Sequence, residues 1–134
     1  MSQDYAALII DLKKSRSYTK EDRNHIQYYI MDVIHLLNRL YRRELVREVD
    51  FSAGDEVQGL FSSPDAAYLY YRMLSMWLHP VEIRAGIGVG GWDVQLDSKG
   101  TTGQDGPAYH KARYAIKNAD DSEGYPVLFL SGSH

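Results

Sequence analysis

The chain has 134 residues, of which 44% are hydrophobic and 25% charged, a composition typical of one folded domain. Its net charge of -3 gives no overall attraction to nucleic acid or to an anionic membrane, and the absence of cysteine excludes disulfide frameworks, thiolate nucleophiles and thiolate metal sites. No uncharged apolar run approaches the roughly 18 residues of a membrane span, and the acidic start is unlike a signal peptide. We therefore expect one cytoplasmic domain over residues 1–134 that contacts neither a membrane nor, directly, nucleic acid.

The first half of the chain predicts a strand, a helix and a hairpin. Tyr5–Leu12 is a short apolar run closed by a polar turn, which is typical of a buried strand. Residues 19–44 begin with a capping sequence and continue with apolar residues at helical spacing. Leu45–Phe51 and Glu56–Phe61 alternate apolar and polar residues, which predicts two strands joined by residues 52–55. This hairpin carries the sequence Gly-Asp-Glu at its tip.

The second half predicts a helix, a second hairpin, a third helix and a last strand. A helix begins at Pro64 and is stopped by Pro80, and residues 81–96 form a hairpin turned at two glycines. Residues 105–119 carry the alanine-rich stripe of a third helix with a basic outer face, and residues 126–130 form the final strand. This order predicts an α+β fold whose helices stack on one face of the sheet.

Glycine occupies one face of the first strand in the second hairpin, at Gly86, Gly88 and Gly90. Because glycine weakens a strand, these positions need a reason: either a ligand or a second backbone approaches closely, or the edge is twisted or bulged. With the helices on the other face, Ala7 and Ile9 would lie uncovered beside the glycines. We therefore expect a homodimer in which a second copy packs there, with a loop such as residues 97–105 or a further C-terminal region as the alternative cover.

Three carboxylates lie where predicted strands end. Asp11 closes the first strand, and Asp55 and Glu56 lie at the tip of the first hairpin. If those strands are neighbours in the sheet, the carboxylates converge at one edge, and Mg²⁺ commonly needs only one or two carboxylates plus substrate phosphates. The sequence therefore predicts a site for Mg²⁺ or Mn²⁺. The alternative is that each residue only caps its own turn.

The predicted third helix offers the components of an anion site. It begins after Gly106 with backbone amides that point outward along the helix axis, and it carries Lys111 and Arg113. A solvated basic face would explain the same charges. The histidines lack the spacing of a zinc site, and no arrangement of Ser, His and Asp can be singled out, so neither zinc nor hydrolase chemistry is favoured.

Four segments, IIDLKKSR, FSAGDEVQGLF, EIRAGIGVGGW and GQDGPAYHKAR, together resemble the SatD family over nearly the whole chain. That family resembles, more distantly, the catalytic core of class III nucleotidyl cyclases, which shares its palm with GGDEF cyclases and many polymerases. The resemblance implies a ferredoxin-like, palm-like antiparallel sheet. It also implies that other members continue into a DNA-binding winged-helix region, which we expect to be absent here.

The resemblance also implies roles for individual residues. In the cyclases the Asp of the first strand and the Asp of the hairpin Gly-Asp pair bind two metal ions, which corresponds to Asp11 and to Asp55 after Gly54. The transition-state arginine of the cyclase helix motif corresponds to Arg113, and Lys111 would neutralise phosphate beside it. The turn that binds the triphosphate would be formed by Leu12, Lys13, Lys14, Ser15 and Arg16.

The chain departs from the cyclase pattern at two positions. Tyr109 stands where the cyclase motif has a ribose-orienting Asn, and Phe51 stands where a base-selecting Lys often precedes the Gly-Asp pair. The first hypothesis is a domain that binds a purine nucleotide with a divalent metal and, if active, transfers a nucleotidyl group. The alternative, which both departures favour, is a catalytically silent regulatory or dimerisation module.

Class III cyclases build their site between two palms, with metal-binding Asp residues from one subunit and the helix arginine from the other. By this resemblance Arg113 would face Asp11 and Asp55 of a second copy. The expected homodimer would then share its sites between subunits.

Overall fold

The computed structural model describes residues 5–13, 17–90, 107–121 and 127–130. The elements within them are β1 (Tyr5–Leu12), α1 (Lys20–Leu40), β2 (Leu45–Ala53), β3 (Glu56–Phe61), α2 (Pro64–Leu78), β4 (Ile83–Gly90), α3 (Pro107–Asp121) and β5 (Val127–Leu130). The predicted return strand at residues 92–96 lies outside the described residues. None of the three described helices combines the length and apolar character needed to cross a membrane.

The described strands form one sheet in the order β2-β3-β1-β4-β5. β1 lies at its centre and pairs antiparallel with β3 on one side and β4 on the other, while β5 adds to β4 in parallel. The part from β1 to β4, with α1 and α2 as crossovers, has the βαββαβ connectivity of a ferredoxin-like fold. The α+β prediction is therefore confirmed.

α1 and α2 each begin at a side-chain cap. Thr19 Oγ1 accepts a hydrogen bond from the backbone N–H of Asp22 at 3.0 Å, and Ser63 Oγ accepts one from the backbone N–H of Ala66 at 3.2 Å. Pro64 follows in the first turn of α2, where a backbone N–H would have no helical partner. Local sequence thus sets both helix starts.

Asn38 ties α1 to β2 inside the core. Its side-chain amide donates to Val49 O at 3.0 Å and accepts from Val49 N–H at 3.3 Å, while the Tyr70 hydroxyl donates to its oxygen at 2.8 Å. The pairing of β2 with β3 shifts between Arg47 and Asp50, so β2 is bulged at Val49 and Asn38 replaces the strand partner that the bulge removes. The β2–β3 hairpin is thereby held against α1.

Helices cover both faces of the sheet, so the prediction that they all stack on one face is wrong. The even-numbered residues of β1 from Ala6 to Leu12 pack with α1 and α2, whereas Ala7 and Ile9 pack against α3. The physical reason lies in β1 itself, because a strand that is apolar at consecutive positions must be covered on both faces. The residues of α3 in this second cluster are Ala108, Tyr109, Ala112 and Ile116.

Glycine on β4 allows the backbone of α3 to lie directly on the sheet. A Cβ atom added at Gly86 would lie 2.3 Å from Ala112 O, and one added at Gly88 would lie 2.2 Å from Ala108 O. Of the two explanations for the glycine row, close approach of a second backbone is therefore correct. The face on which the expected second copy was to pack is covered by the chain's own α3, so Ala7, Ile9 and the two glycines are not left bare for a dimer contact.

Replacing Gly88 by Ala tests this backbone contact. Because the added methyl group would meet backbone atoms, which cannot rotate away, we expect Gly88→Ala to lower the free energy of unfolding by about 3 kcal/mol. Gly90→Ala is the matched control, since its nearest contact would be a milder 3.1 Å to Ala108 N. Urea unfolding followed by circular dichroism measures both, and equal losses would contradict the proposed role of the α3 backbone.

Candidate functional site

The end of the sheet where β1 stops and β3 starts concentrates charged side chains on the face that α3 covers. Asp11 pairs across the sheet with Arg84 of β4, and the pairing of Ile10 with Val57 places Glu56 beside Asp11 on the other side. Since side chains alternate along a strand, Asp11 lies on the same face as Ile9, which packs against α3. Strand register alone therefore brings two carboxylates and an arginine together.

Arg84 holds Asp11 through a two-pronged ion pair. Nε donates to Oδ1 at 2.7 Å and Nη2 donates to Oδ2 at 3.2 Å, which is the fork geometry that makes such pairs strong and oriented. The side chains are 21% and 24% exposed, respectively, so an ion or ligand could still reach the carboxylate from solvent.

Glu56 holds Arg113 from the start of β3. Both terminal nitrogens of Arg113 donate to the Glu56 carboxylate, with Nη2 to Oε1 at 2.9 Å. Ser52 Oγ and Gln58 Nε2 each donate to the same Oε1 at 3.0 Å. With this many donors in place, Glu56 anchors Arg113 and has little capacity left to coordinate an ion.

The ion pair lowers the pKa of Glu56 and raises the pKa of Arg113. Burial alone would raise the pKa of the Glu56 carboxyl, but the hydrogen bonds and charge of Arg113, aided by Gln58 and Ser52, outweigh it and hold that pKa below its ordinary value. The same hydrogen bonds to Glu56 raise the pKa of the Arg113 guanidinium against the effect of burial, and the charges of Glu56 and Asp11 raise it further. Asp11 is therefore close enough to Arg113 to interact with its charge.

Four side chains thus form a row of alternating sign, here called the charged row: Arg84, Asp11, Arg113 and Glu56. Hydrogen bonds join the first pair and the last pair, and electrostatic attraction joins Asp11 to Arg113. The row spans β4, β1 and β3 at one end of the sheet.

Asp55 occupies the hairpin tip but is tied to α1 rather than to the charged row. Gly54, with φ of +55°, makes the turn in the left-handed region that favours glycine. Gln27 Nε2 donates to Asp55 Oδ1 and lies 3.3 Å from Gly54 O, and Arg23 Nη1 lies 3.9 Å from Asp55 Oδ2. No group of three or more His, Asp or Glu side chains suited to a metal ion occurs among the residues that the structure describes.

A cavity of about 380 Å³ opens beside this hairpin tip. Its lining combines two amide side chains with two aromatic rings and the thioether of a methionine. The lining residues are Asn24, Gln27, Tyr28, Met31, Phe51 and Gly54. Such a mixture suits a flat ring with polar edges.

Other residues singled out from the sequence lie apart from the charged row. Lys111 Nζ donates to Val89 O at 3.1 Å, and Val89 pairs with Ala6 at the opposite end of β1 from Asp11. Tyr109 is 3% exposed and packs between α3 and the sheet, and burial raises its pKa to about 12 even though the nearby charge of Arg47 lowers it.

The predicted triphosphate turn is described only at its start. Leu12 is a buried core residue, and Lys13 N–H donates to Glu82 O at 2.9 Å, which extends the pairing of β1 with β4. Lys14, Ser15 and Arg16 lie outside the described residues.

The sequence reasoning did not identify three residues that hold the predicted carboxylates. Arg84 is a charged residue on the otherwise glycine-lined face of β4, which was the available signal that it faces another element. Arg23 and Gln27 stand four residues apart near the start of α1, so they share one face of that helix and both reach Asp55.

The lowered pKa of Glu56 makes its contribution to stability depend on pH. Since the folded-state pKa lies below the ordinary value of 4.5, the interaction stabilises the native state above that value and is lost as the pH falls through the folded-state pKa. We expect Glu56→Gln to lower the free energy of unfolding by about 2 kcal/mol at pH 7 and by much less once the wild-type carboxyl is protonated.

Urea unfolding of wild type and variant from pH 7 to about pH 3 measures this difference. Asp32→Asn, on the exposed face of α1, is the control that removes one charge without breaking a contact of the charged row. A loss for Glu56→Gln that stays constant over the whole pH range would contradict the electrostatic origin.

Solved structures of nucleotidyl cyclase catalytic domains share this fold. The catalytic core of a rhodopsin-guanylyl cyclase with converted specificity, in complex with ATPalphaS, matches with a TM-score of 0.61 and 12% identity over 87% of this chain and 72% of that chain. The monomeric guanylyl cyclase domain of the RhoGC fusion protein from the aquatic fungus Blastocladiella emersonii matches with a TM-score of 0.62 and 11% identity, over 87% of this chain and 75% of that chain. The adenylyl cyclase CyaB from P. aeruginosa matches with a TM-score of 0.51 and 17% identity, over 67% of this chain and 57% of that chain.

Identities this low show a common fold and confirm the expected cyclase-like palm. In sequence, the model of the SatD family matches residues 5–130. No curated protein matches the chain in sequence.

Proposed function

The chain belongs to the SatD family, and from this premise and its cyclase-like fold we propose that it binds a purine nucleotide together with a divalent cation at the end of β1 and the hairpin tip. The observation that carries the proposal is the charged row, in which two arginines and two carboxylates meet on one partly exposed surface. Phosphate groups and divalent cations are the ligands that these two kinds of side chain bind.

The donor chemistry of Asp11 and Asp55 fits Mg²⁺ or Mn²⁺. Both are carboxylates at the same end of the sheet, their side chains are 24% and 16% exposed, and one or two carboxylates suffice when phosphate oxygens complete the coordination. Glu56 is the weaker candidate because its oxygens already accept from Arg113, Ser52 and Gln58. A bound ion would supply positive charge that polarises a phosphoryl group.

The arginines of the charged row would take the phosphates. The guanidinium group of Arg113 has five N–H donors, and Glu56 accepts from only two of its nitrogens, so donors are left for an anion. A phosphate beside Asp11 would also compete with that carboxylate for Arg84, which makes Asp11 more available to a cation. Phosphate and metal should therefore bind cooperatively.

The cavity beside the hairpin tip would take the base. Phe51 and Tyr28 offer rings against which a purine can stack, and the amides of Asn24 and Gln27 can hydrogen-bond to its polar edge. Gln27 also donates to Asp55, so base and cation would contact the same part of the hairpin.

If the bound nucleotide reacts, the fold favours nucleotidyl transfer, with Arg113 stabilising negative charge that develops on the phosphates. A second candidate function, a catalytically silent sensor or regulatory module, is supported by Tyr109. This residue stands at the position that orients the ribose in the cyclases, but its side chain is 3% exposed and packs on the sheet, where it would not contact a ribose.

Thermal unfolding with nucleotides tests the proposal. We expect ATP or GTP with Mn²⁺ to raise the melting temperature, since binding to the native state at 100 times Kd stabilises it by about 2.7 kcal/mol. Arg113→Ala should abolish most of this shift, because it removes a phosphate-binding group. Lys117→Ala, which removes one exposed positive charge from the same helix, should preserve it.

The absence of any shift for the wild-type protein with either nucleotide would contradict the proposal. Chromatography of the incubated nucleotides then separates the two candidate functions. A stabilising nucleotide that is recovered unchanged supports the silent module, and a cyclic or transferred product supports nucleotidyl transfer.

A further inference from the structure

Arg113 is bonded through both terminal nitrogens to Glu56 of its own chain. We propose that Arg113 completes the nucleotide site of its own chain, positioned there by Glu56, so that one chain carries a whole site and no second copy contributes to it. This inference rests on the proposed nucleotide binding. It departs from the shared-site arrangement that the cyclase resemblance implies.

The backbone of α3 fixes where Arg113 starts. Ala112 O and Ala108 O lie so close to β4 that only glycine fits at Gly86 and Gly88. Arg113 directly follows Ala112, so its Cα cannot move relative to the sheet without lifting the whole helix. The base of the side chain is therefore as fixed as the core.

The guanidinium end of Arg113 is fixed by Glu56. In the sheet order β3-β1-β4, the side chain starts over β4 and ends on a residue of β3. It must therefore pass over the end of β1, where Asp11 lies. Glu56, the partner of Arg113, lies beside Asp11 in the pairing of β1 with β3, and in keeping with this placement the charge of Asp11 raises the pKa of Arg113.

Glu56 is itself oriented by its neighbours, which makes it a positioning residue for Arg113. Ser52 and Gln58 donate to its Oε1 at 3.0 Å. Gln58 is 7% exposed, and its side-chain oxygen has no hydrogen-bond partner within the described part of the chain. The bond that the Gln58 amide donates to Glu56 thus helps to orient that carboxylate.

Mixing two variants distinguishes a site within one chain from a shared one. Asp11→Asn removes a predicted metal ligand and Arg113→Ala removes the phosphate-binding arginine, so neither variant alone should bind nucleotide with Mn²⁺. If each site lies within one chain, an equimolar mixture, unfolded and refolded together, should bind no more GTP than the two variants measured separately. If sites are shared across a twofold dimer, about a quarter of them become intact, and recovery of that much binding would overturn the inference.

A measurement on the wild-type protein covers the case in which a variant fails to fold. The affinity for a fluorescent GTP analogue with Mn²⁺ should stay constant when the protein is diluted over a hundredfold range that includes its monomeric form. Loss of affinity on dilution would overturn the inference. Absence of nucleotide binding at every concentration would instead refute the proposed function, so the two failures are distinguishable.

The positioning role of Glu56 has its own readout. We assign Arg113 to the β- and γ-phosphates, which GMP lacks, and therefore expect Glu56→Gln to weaken GTP binding about tenfold while binding of GMP changes little. A general structural defect would weaken both ligands equally and would count against positioning. Tighter GTP binding would show that Glu56 withholds Arg113 and would overturn this part of the proposal.

Discussion

The close contact between the backbone of α3 and β4 determines most of what lies at the candidate site. Gly86 and Gly88 place no β4 side chain between strand and helix, so the backbone of α3 lies directly on β4. This contact covers the second apolar face of β1 and buries Tyr109. It also fixes the position of the Arg113 backbone above the sheet, from which the side chain extends over β1 to Glu56. Packing and site geometry therefore have the same physical origin.

The charged row balances charges that would otherwise be unfavourable together. Asp11 and Glu56 lie on neighbouring strands, where two carboxylates would repel each other, and Arg84 and Arg113 compensate from β4 and α3. Each pair is bonded through two nitrogens and is partly shielded from solvent, so its geometry is more strongly fixed than that of an ordinary surface salt bridge. Asp55 is compensated separately, by Arg23 and Gln27 of α1.

Local patterns in the sequence were enough to predict the described elements and the α+β class. The capping sequence at Thr19, the Gly-Asp turn at residue 54 and the proline at the start of α2 all act over a few residues. The face on which α3 packs was not predictable in this way, because the alanine stripe shows only that the helix is buried on one side. The glycine row did show that something approached closely, without showing what it was.

For the site residues too, local sequence patterns located the carboxylates but not their partners, which are distant in sequence. The sequence predicted that Asp11, Asp55 and Glu56 converge at one edge of the sheet; strand register places Glu56 beside Asp11, whereas Asp55 is bonded to α1. The arginine partners of Asp11 and Glu56 lie 73 and 57 residues away in sequence, respectively. Charge pattern along α3 suggested that Lys111 and Arg113 act together. The structure instead directs Lys111 to Val89 and Arg113 to Glu56, because residues two apart on a helix point in different directions.

The alternating signs of the charged row also affect the association rate of a negatively charged nucleotide. The row has two positive and two negative groups, so beyond about 8 Å at physiological ionic strength its fields largely cancel and are screened. Encounter should then proceed without the electrostatic steering that a surface of uniformly positive potential provides. The arginines act only after contact, when a phosphate at hydrogen-bonding distance displaces a carboxylate. Discrimination between ligands would then be expressed mainly in how long each one stays bound.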